Sequence, residues 1–149
     1  MSAGYSGTPL GKKLGIQEKS RVLLSNAPRG FKTSLAPLPG GVKFSSAARG
    51  AASHDVIVYF TKSTADLSRS FARLEKLLAL GGGLWIAWPK KASKVATDLD
   101  ENIVREFGLA HGVVDNKVCA IDEVWSGLRF MRRRAVSNSR KGAASSPAR

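Results

Sequence analysis

The chain is an α/β domain: a three-layer sandwich on a mostly parallel sheet, closed by an antiparallel hairpin at its C-terminal end. Three observations predict it. Strand-like and helix-like segments alternate from residue 55 onward, and that alternation implies parallel strands with helices on both faces. The apolar segments Asp55–Phe60 and Leu84–Trp88 are short and show little polar alternation, as expected for strands covered on both sides. The last two strand-like segments are too close together for a crossover, so they read as a hairpin.

The elements follow in order. Residues 1–20 are rich in glycine and proline and read as an arm packed on the domain, with Leu10, Leu14 and Ile16 as anchors. Arg21–Ser25 is a buried-type strand stopped at Asn26-Ala27-Pro28, because the residue before proline favours extended backbone. Residues 30–36 form a short helix before Pro37, and residues 42–46 alternate as a partly exposed strand. After the strand Asp55–Phe60, Ser63 or Thr64 caps a helix with Asp66 in its first turn. Leu67, Phe71, Leu74 and Leu78 make its apolar stripe, and Gly81-Gly82-Gly83 is expected to end it. The strand Leu84–Trp88 stops at Pro89. Asp98, with Glu101 three residues on, reads as a capping box for a second helix, whose apolar face is Ile103, Val104, Phe107 and Leu109. Gly108 or Gly112 ends it, with His111 at the terminus. Val113–Asp122 and Leu128–Arg132 are the hairpin strands, joined near Trp125-Ser126-Gly127. Residues 134–149 hold too little apolar surface to offset the entropy of ordering and read as a disordered basic tail.

At 149 residues the chain has the length of one domain that folds without disulfide or metal staples. One cysteine, Cys119, excludes a disulfide framework and a multi-cysteine zinc site within the chain. No metal and no cofactor is expected. No apolar run is long enough to span a membrane, and residues 1–13 lack the apolar core of a signal peptide, so a cytoplasmic location is expected. The net charge is +13. Six of the 24 lysines and arginines stand at or after Arg132, where no acidic residue occurs; the preceding part carries 18 basic and 11 acidic residues, or +7. Such a tail attracts any polyanion without sequence preference.

The residues that could carry chemistry are few. A dinucleotide or S-adenosylmethionine site needs glycines in the first strand-to-helix loop, so that the backbone can approach the ligand. That loop here is Ser25-Asn26-Ala27-Pro28-Arg29-Gly30-Phe31, with one glycine, and no acidic residue ends the second strand. The favoured site is Trp88-Pro89-Lys90-Lys91-Ala92-Ser93-Lys94, which leaves the carboxyl end of a central strand. Lys90, Lys91, Ser93 and Lys94 are candidate anion contacts, Trp88 a candidate stacking surface, and Asn26 and Lys117 candidates to complete the pocket. Arg132, Arg133 and Arg134 are the candidate polyanion contacts, or equally charges that protect a sheet edge. Asp122, Glu123 and Lys117 read as cross-strand ion-pairing groups, with a catalytic acid or base as the alternative, and Cys119 reads as buried and inert. His54 and His111 have no metal spacing, and Trp85 and Trp125 read as packing residues. The candidate partners are an anionic small molecule at the loop and non-specific nucleic acid at the tail.

Three sequence blocks carry a resemblance. The first is Gly4-Tyr5-Ser6-Gly7-Thr8-Pro9-Leu10 followed by Lys12-Lys13-Leu14-Gly15-Ile16. The second is Trp88-Pro89-Lys90-Lys91 with Ser93. The third is Asp115-Asn116-Lys117-Val118-Cys119-Ala120 with Trp125-Ser126-Gly127-Leu128-Arg129-Phe130. Together they resemble the bacterial family catalogued as domain of unknown function 3052, over residues 4–133. That family implies no reaction, so no catalytic residue is carried over. Residues 21–133 are also similar in element order to the Rossmann-like fold of class I methyltransferases, including the Leu80-Gly81-Gly82-Gly83-Leu84 break before a strand. Fold alone does not assign function. The expectation is therefore a binding or regulatory module with a basic anion-accepting loop. A diverged S-adenosylmethionine-dependent enzyme and a nucleic-acid accessory protein are the alternatives.

Overall fold

The computed structural model describes residues 8–46 and 54–133. The start of the arm, the tail and Arg134 lie outside the described residues. Six strands form one sheet: β1 (Arg21–Ser25), β2 (Lys43–Ser45), β3 (His54–Phe60), β4 (Leu78–Pro89), β5 (Val113–Ala120) and β6 (Trp125–Arg132). Their order is β2-β1-β3-β4-β6-β5. The first four are mutually parallel, and β6 runs antiparallel to both β4 and β5. The expected C-terminal hairpin is present, but its second strand lies inside the sheet and its first strand, β5, forms the edge.

Helices cover both faces. On one face lie α1 (Leu10–Lys13) and α2 (Phe31–Ser34); on the other lie α3 (Thr64–Lys76) and α4 (Glu101–Ala110). Two cores result. Leu67, Phe71, Leu74 and Val104 pack with Ile57, Leu84, Ile86, Leu128 and Phe130. Leu10, Leu14, Phe31 and Leu35 pack with Val22, Val58, Phe60 and Trp85 on the opposite face. Leu10, Leu14 and Ile16 thus anchor the segment before β1 in the second core, and the Trp85 indole donates to the Leu14 carbonyl at 2.9 Å.

Three local expectations need correction. Helix α3 ends at Lys76, capped by Leu77, and the triple glycine lies inside β4. Leu78 has already entered the sheet, pairing with His54, so burial of that leucine stops the helix before the glycines are reached. The register then slips between His54 and Val56, and Gly81 takes a positive φ of 79° in the bulge, which glycine adopts without a Cβ penalty. Asp100, and not Asp98, caps α4 through Ile103 N–H at 2.8 Å. Of the two glycines expected to end that helix, Gly112, at φ 93°, follows its end, and Gly108 lies within it, where a Cβ would come within 2.2 Å of the Phe130 ring. Finally, Trp125-Ser126-Gly127 belongs to β6, and the turn before it is held by Asp122, whose carboxylate accepts from Val124 and Trp125 N–H at 2.8 Å each.

Candidate functional site

The loop between β4 and α4 builds a cavity at the carboxyl end of β4. Its volume is about 400 Å³, and its lining includes Trp88, Lys91, Lys94, Asp98, Leu99 and Asp100. The loop is shaped by its own hydrogen bonds. Lys90 N–H donates to the Val124 carbonyl at 2.7 Å. The Ser93 hydroxyl donates to the Lys90 carbonyl at 2.7 Å and accepts from Val95 N–H at 3.2 Å, closing a single 3-10 turn over Lys91–Ser93. Lys94 follows in the left-handed region, at φ 63°. This turn places Lys91 and Lys94 on the cavity while Lys90 and Ser93 serve as its frame.

The far wall is tied down across the chain. Asp98 accepts from both the N–H and the hydroxyl of Thr64, each at 2.9 Å. It thus caps the start of α3 from a distance of 34 residues, next to the local cap Ser63, which accepts from Asp66 N–H at 3.1 Å. The Thr97 hydroxyl donates to the Lys62 carbonyl at 2.6 Å. Both aspartates on the cavity are thereby engaged with helix N-termini, where negative charge is favoured. The ammonium groups of Lys91 and Lys94 have no ion-pair partner among the described residues. Trp88 is 5% exposed and belongs to the core beside Leu99, so it presents a wall and little free ring face.

The remaining sequence candidates stand elsewhere. Asn26 follows β1 in the left-handed conformation, φ 58°, one strand beyond β3 from the cavity. Lys117, on the edge strand, donates from Nζ to the Lys13 carbonyl at 3.1 Å, on the α1 face. Arg132 binds the Glu75 carboxylate at 2.7 Å and the Glu75 carbonyl at 2.6 Å, and Arg133 donates to the Leu109 carbonyl at 3.3 Å. Both arginines thus close the end of β6 on the helices. Cys119 is half-buried, and desolvation raises its thiol pKa against the smaller opposing pull of Lys13 and Lys117. Among the described residues no group of three or more metal-ligating side chains occurs, and no helix is long and apolar enough to cross a membrane.

Open α/β sheets bind ligands beyond the carboxyl ends of strands where the strand order reverses. Here that point falls between β1 and β3, since the chain runs outward from β1 to β2 and returns on the other side. Aromatic rings fill the space on its α2 side. Phe31 meets Phe60 edge-on at 4.8 Å, and Phe60 meets Trp125 edge-on at 5.1 Å. The sequence marks Trp125 as a packing residue, but not this cluster, since its three members are far apart in the chain.

A scan of protein-family models and a search of curated proteins return no match, so the resemblance to domain of unknown function 3052 gains no support from either. Solved structures do match. N-methyltransferase NodS from Bradyrhizobium japonicum, in complex with S-adenosyl-L-homocysteine, is 16% identical with a TM-score of 0.53, over 77% of this chain and 79% of that one. The 1,6-didemethyltoxoflavin-N1-methyltransferase of Burkholderia thailandensis is 16% identical with a TM-score of 0.56, over 84% and 75%. A SAM-dependent methyltransferase from Aquifex aeolicus is 15% identical with a TM-score of 0.52, over 82% and 87%. The chain therefore has the Rossmann-like fold of S-adenosylmethionine-dependent methyltransferases. At these identities the likeness concerns the fold alone.

Proposed function

We propose that this chain is a diverged methyltransferase-like domain that binds a small anionic ligand at the carboxyl end of β4. The fold it shares with the methyltransferases supports the class. The observation that carries the site is the pair Lys91 and Lys94, cations without an ion-pair partner among the described residues, on one cavity of about 400 Å³ at the end of a central strand. In this reading they meet the ligand's negative group as point charges. The remaining lone pairs of Asp98 and Asp100 accept from hydroxyl or amino groups of the same ligand. Lys90 and Ser93 position the turn, and Trp88 walls the pocket.

A diverged S-adenosylmethionine-dependent enzyme is the second reading, and the methyltransferase neighbours favour it. It requires cofactor binding without a glycine-rich first loop, beside Phe31 and Phe60, and without an acidic residue at the end of β2, where Ser45 and Ser46 stand.

Isothermal titration calorimetry of the full chain with inorganic pyrophosphate, ATP and S-adenosylmethionine separates the two. The first reading expects saturable binding of at least one phosphate compound, weakened about tenfold or more when Lys91 and Lys94 are both alanine. Unchanged affinity in that double variant would remove the cavity from consideration. Saturable S-adenosylmethionine binding that survives the double variant would establish the second reading instead.

A further inference from the structure

The opposite end of the sheet holds a second polar cavity, of about 300 Å³, lined among others by Lys19, Ser20, Asp55, Gly81, Gly82 and Arg129. One lining residue, Arg129, is a cation that forms no ion pair among the described residues. Arg129 is half-buried, and desolvation pushes its pKa down with no opposing attraction from an acid. Its guanidinium has no hydrogen-bond or ion-pair partner among the described residues. A half-desolvated guanidinium with unused donors is costly unless something accepts from it.

The chain has made room for this group. A Cβ on Gly83 would lie 2.3 Å from Arg129 Nε and 2.6 Å from one terminal nitrogen, so the missing side chain of Gly83 is the notch in which the guanidinium rests. Gly81 and Gly82 continue a wall of bare backbone beside it. The acids nearby do not answer the charge. Asp55 is engaged with Arg21, accepting from its backbone N–H at 2.8 Å and from Nε at 3.3 Å, and Glu18, also on the lining, is exposed and forms no ion pair with Arg129. Lys19 adds a second positive charge to the lining.

We propose that this cavity is a binding site for a small oxyanion, a phosphate or carboxylate group, held by the Arg129 guanidinium. The planar fork of an arginine matches both groups by paired N–H···O bonds, and the cavity volume limits the ligand to a small one. The site stands independently of the Lys91–Lys94 cavity, being at the amino ends of the parallel strands.

The test is a ¹H–¹⁵N NMR titration of the full chain with inorganic phosphate and, separately, with acetate, following the Arg129 Nε–H signal. A saturable shift of that signal, at concentrations that leave exposed arginine signals unmoved, is expected with at least one of the two anions, and the pair tells phosphate from carboxylate. Arg129→Gln should weaken that binding about tenfold or more. Gly83→Ala, which keeps the charge but fills the notch, should weaken it comparably. Lys91→Ala with Lys94→Ala should leave it unchanged, so failure here and failure of the first site are read separately. An Arg129 signal that moves only together with the exposed arginines overturns the proposal. So does unchanged affinity in Arg129→Gln. The wild-type titration decides alone if a variant does not fold.

Discussion

The indole of Trp85 in β4 donates its N–H to the carbonyl of Leu14, 71 residues earlier, at 2.9 Å. Both residues are fully buried. The bond joins the segment before β1 to the centre of the sheet and satisfies a carbonyl that water cannot reach. Trp85→Phe keeps most of the apolar contact and leaves that carbonyl without its donor. The expected loss is about 1–3 kcal/mol, read as a lower urea midpoint with an unchanged denaturant slope.

Gly108 tests packing against propensity. Alanine in a helix interior is favoured over glycine by about 1 kcal/mol. Here the added methyl would enter the Phe130 ring, with three ring carbons within 2.8 Å of the new atom. Overpacking of that kind costs about 1–3 kcal/mol, so Gly108→Ala should lower stability in urea denaturation. A stabilised variant would mean that α4 shifts away from β6 at little cost.

Asp98 and Asp100 separate a remote cap from a local one. Asp100→Ala removes the α4 cap and should cost about 1 kcal/mol. Asp98→Ala unties the 97–100 loop from the start of α3. Hydrogen exchange should then quicken at Thr64 N–H, the group that Asp98 accepts from, while α4 amides keep their protection. Equal protection of Thr64 in both proteins would show that α3 does not depend on the tether.

Asp55 should make stability pH-dependent. Burial pushes its carboxyl up, but the backbone N–H and guanidinium of Arg21 pull it down further, so the net position is below the ordinary carboxylate range. Its folded form thus binds a proton less readily than the unfolded chain does. The stabilisation is fully present above about pH 4 and is lost as pH falls through the folded value. Asp55→Asn should therefore be less stable than wild type at pH 6, with the gap closing at lower pH in parallel urea melts. A gap that is constant with pH would assign the effect to shape and not to charge.

Cys119 should react slowly. Desolvation raises its thiol pKa, which lowers the thiolate fraction, and the thiolate is the nucleophile. Iodoacetamide at pH 7.5 should alkylate it more slowly in the native chain than in urea. Equal rates would place the thiol in open solvent.

Much of the fold is legible because strand and helix patterns are local. The run from Arg21 to Ser25 and the stripe Leu67, Phe71, Leu74 each declare their element within a few residues. The candidate cavity is half legible. Lys91 and Lys94 stand on the loop where the strand's carboxyl end pointed, but Asp98 reads as a local cap and acts at a distance of 34 residues. Asn26 and Lys117 do not converge on that cavity. Arg129 stands in one of the sequence blocks, but no local pattern marks it as a binding group, since its setting depends on Gly83 on the neighbouring strand β4.

What the sequence by itself determined is the class: alternating buried strands and amphipathic helices, a reversed final strand and a first loop without the glycines of a nucleotide site. Periodicity and backbone preference act over a few residues and need no partner. Only the tertiary structure decided where the triple glycine belongs, which aspartate caps which helix, and which cations have no ion pair among the described residues. Most of those outcomes rest on contacts between residues far apart in the chain, as Asp98 with Thr64, 34 positions away, or across neighbouring strands, as Arg129 with Gly83. Their energies exist only once the sheet has brought the partners together and excluded water from between them.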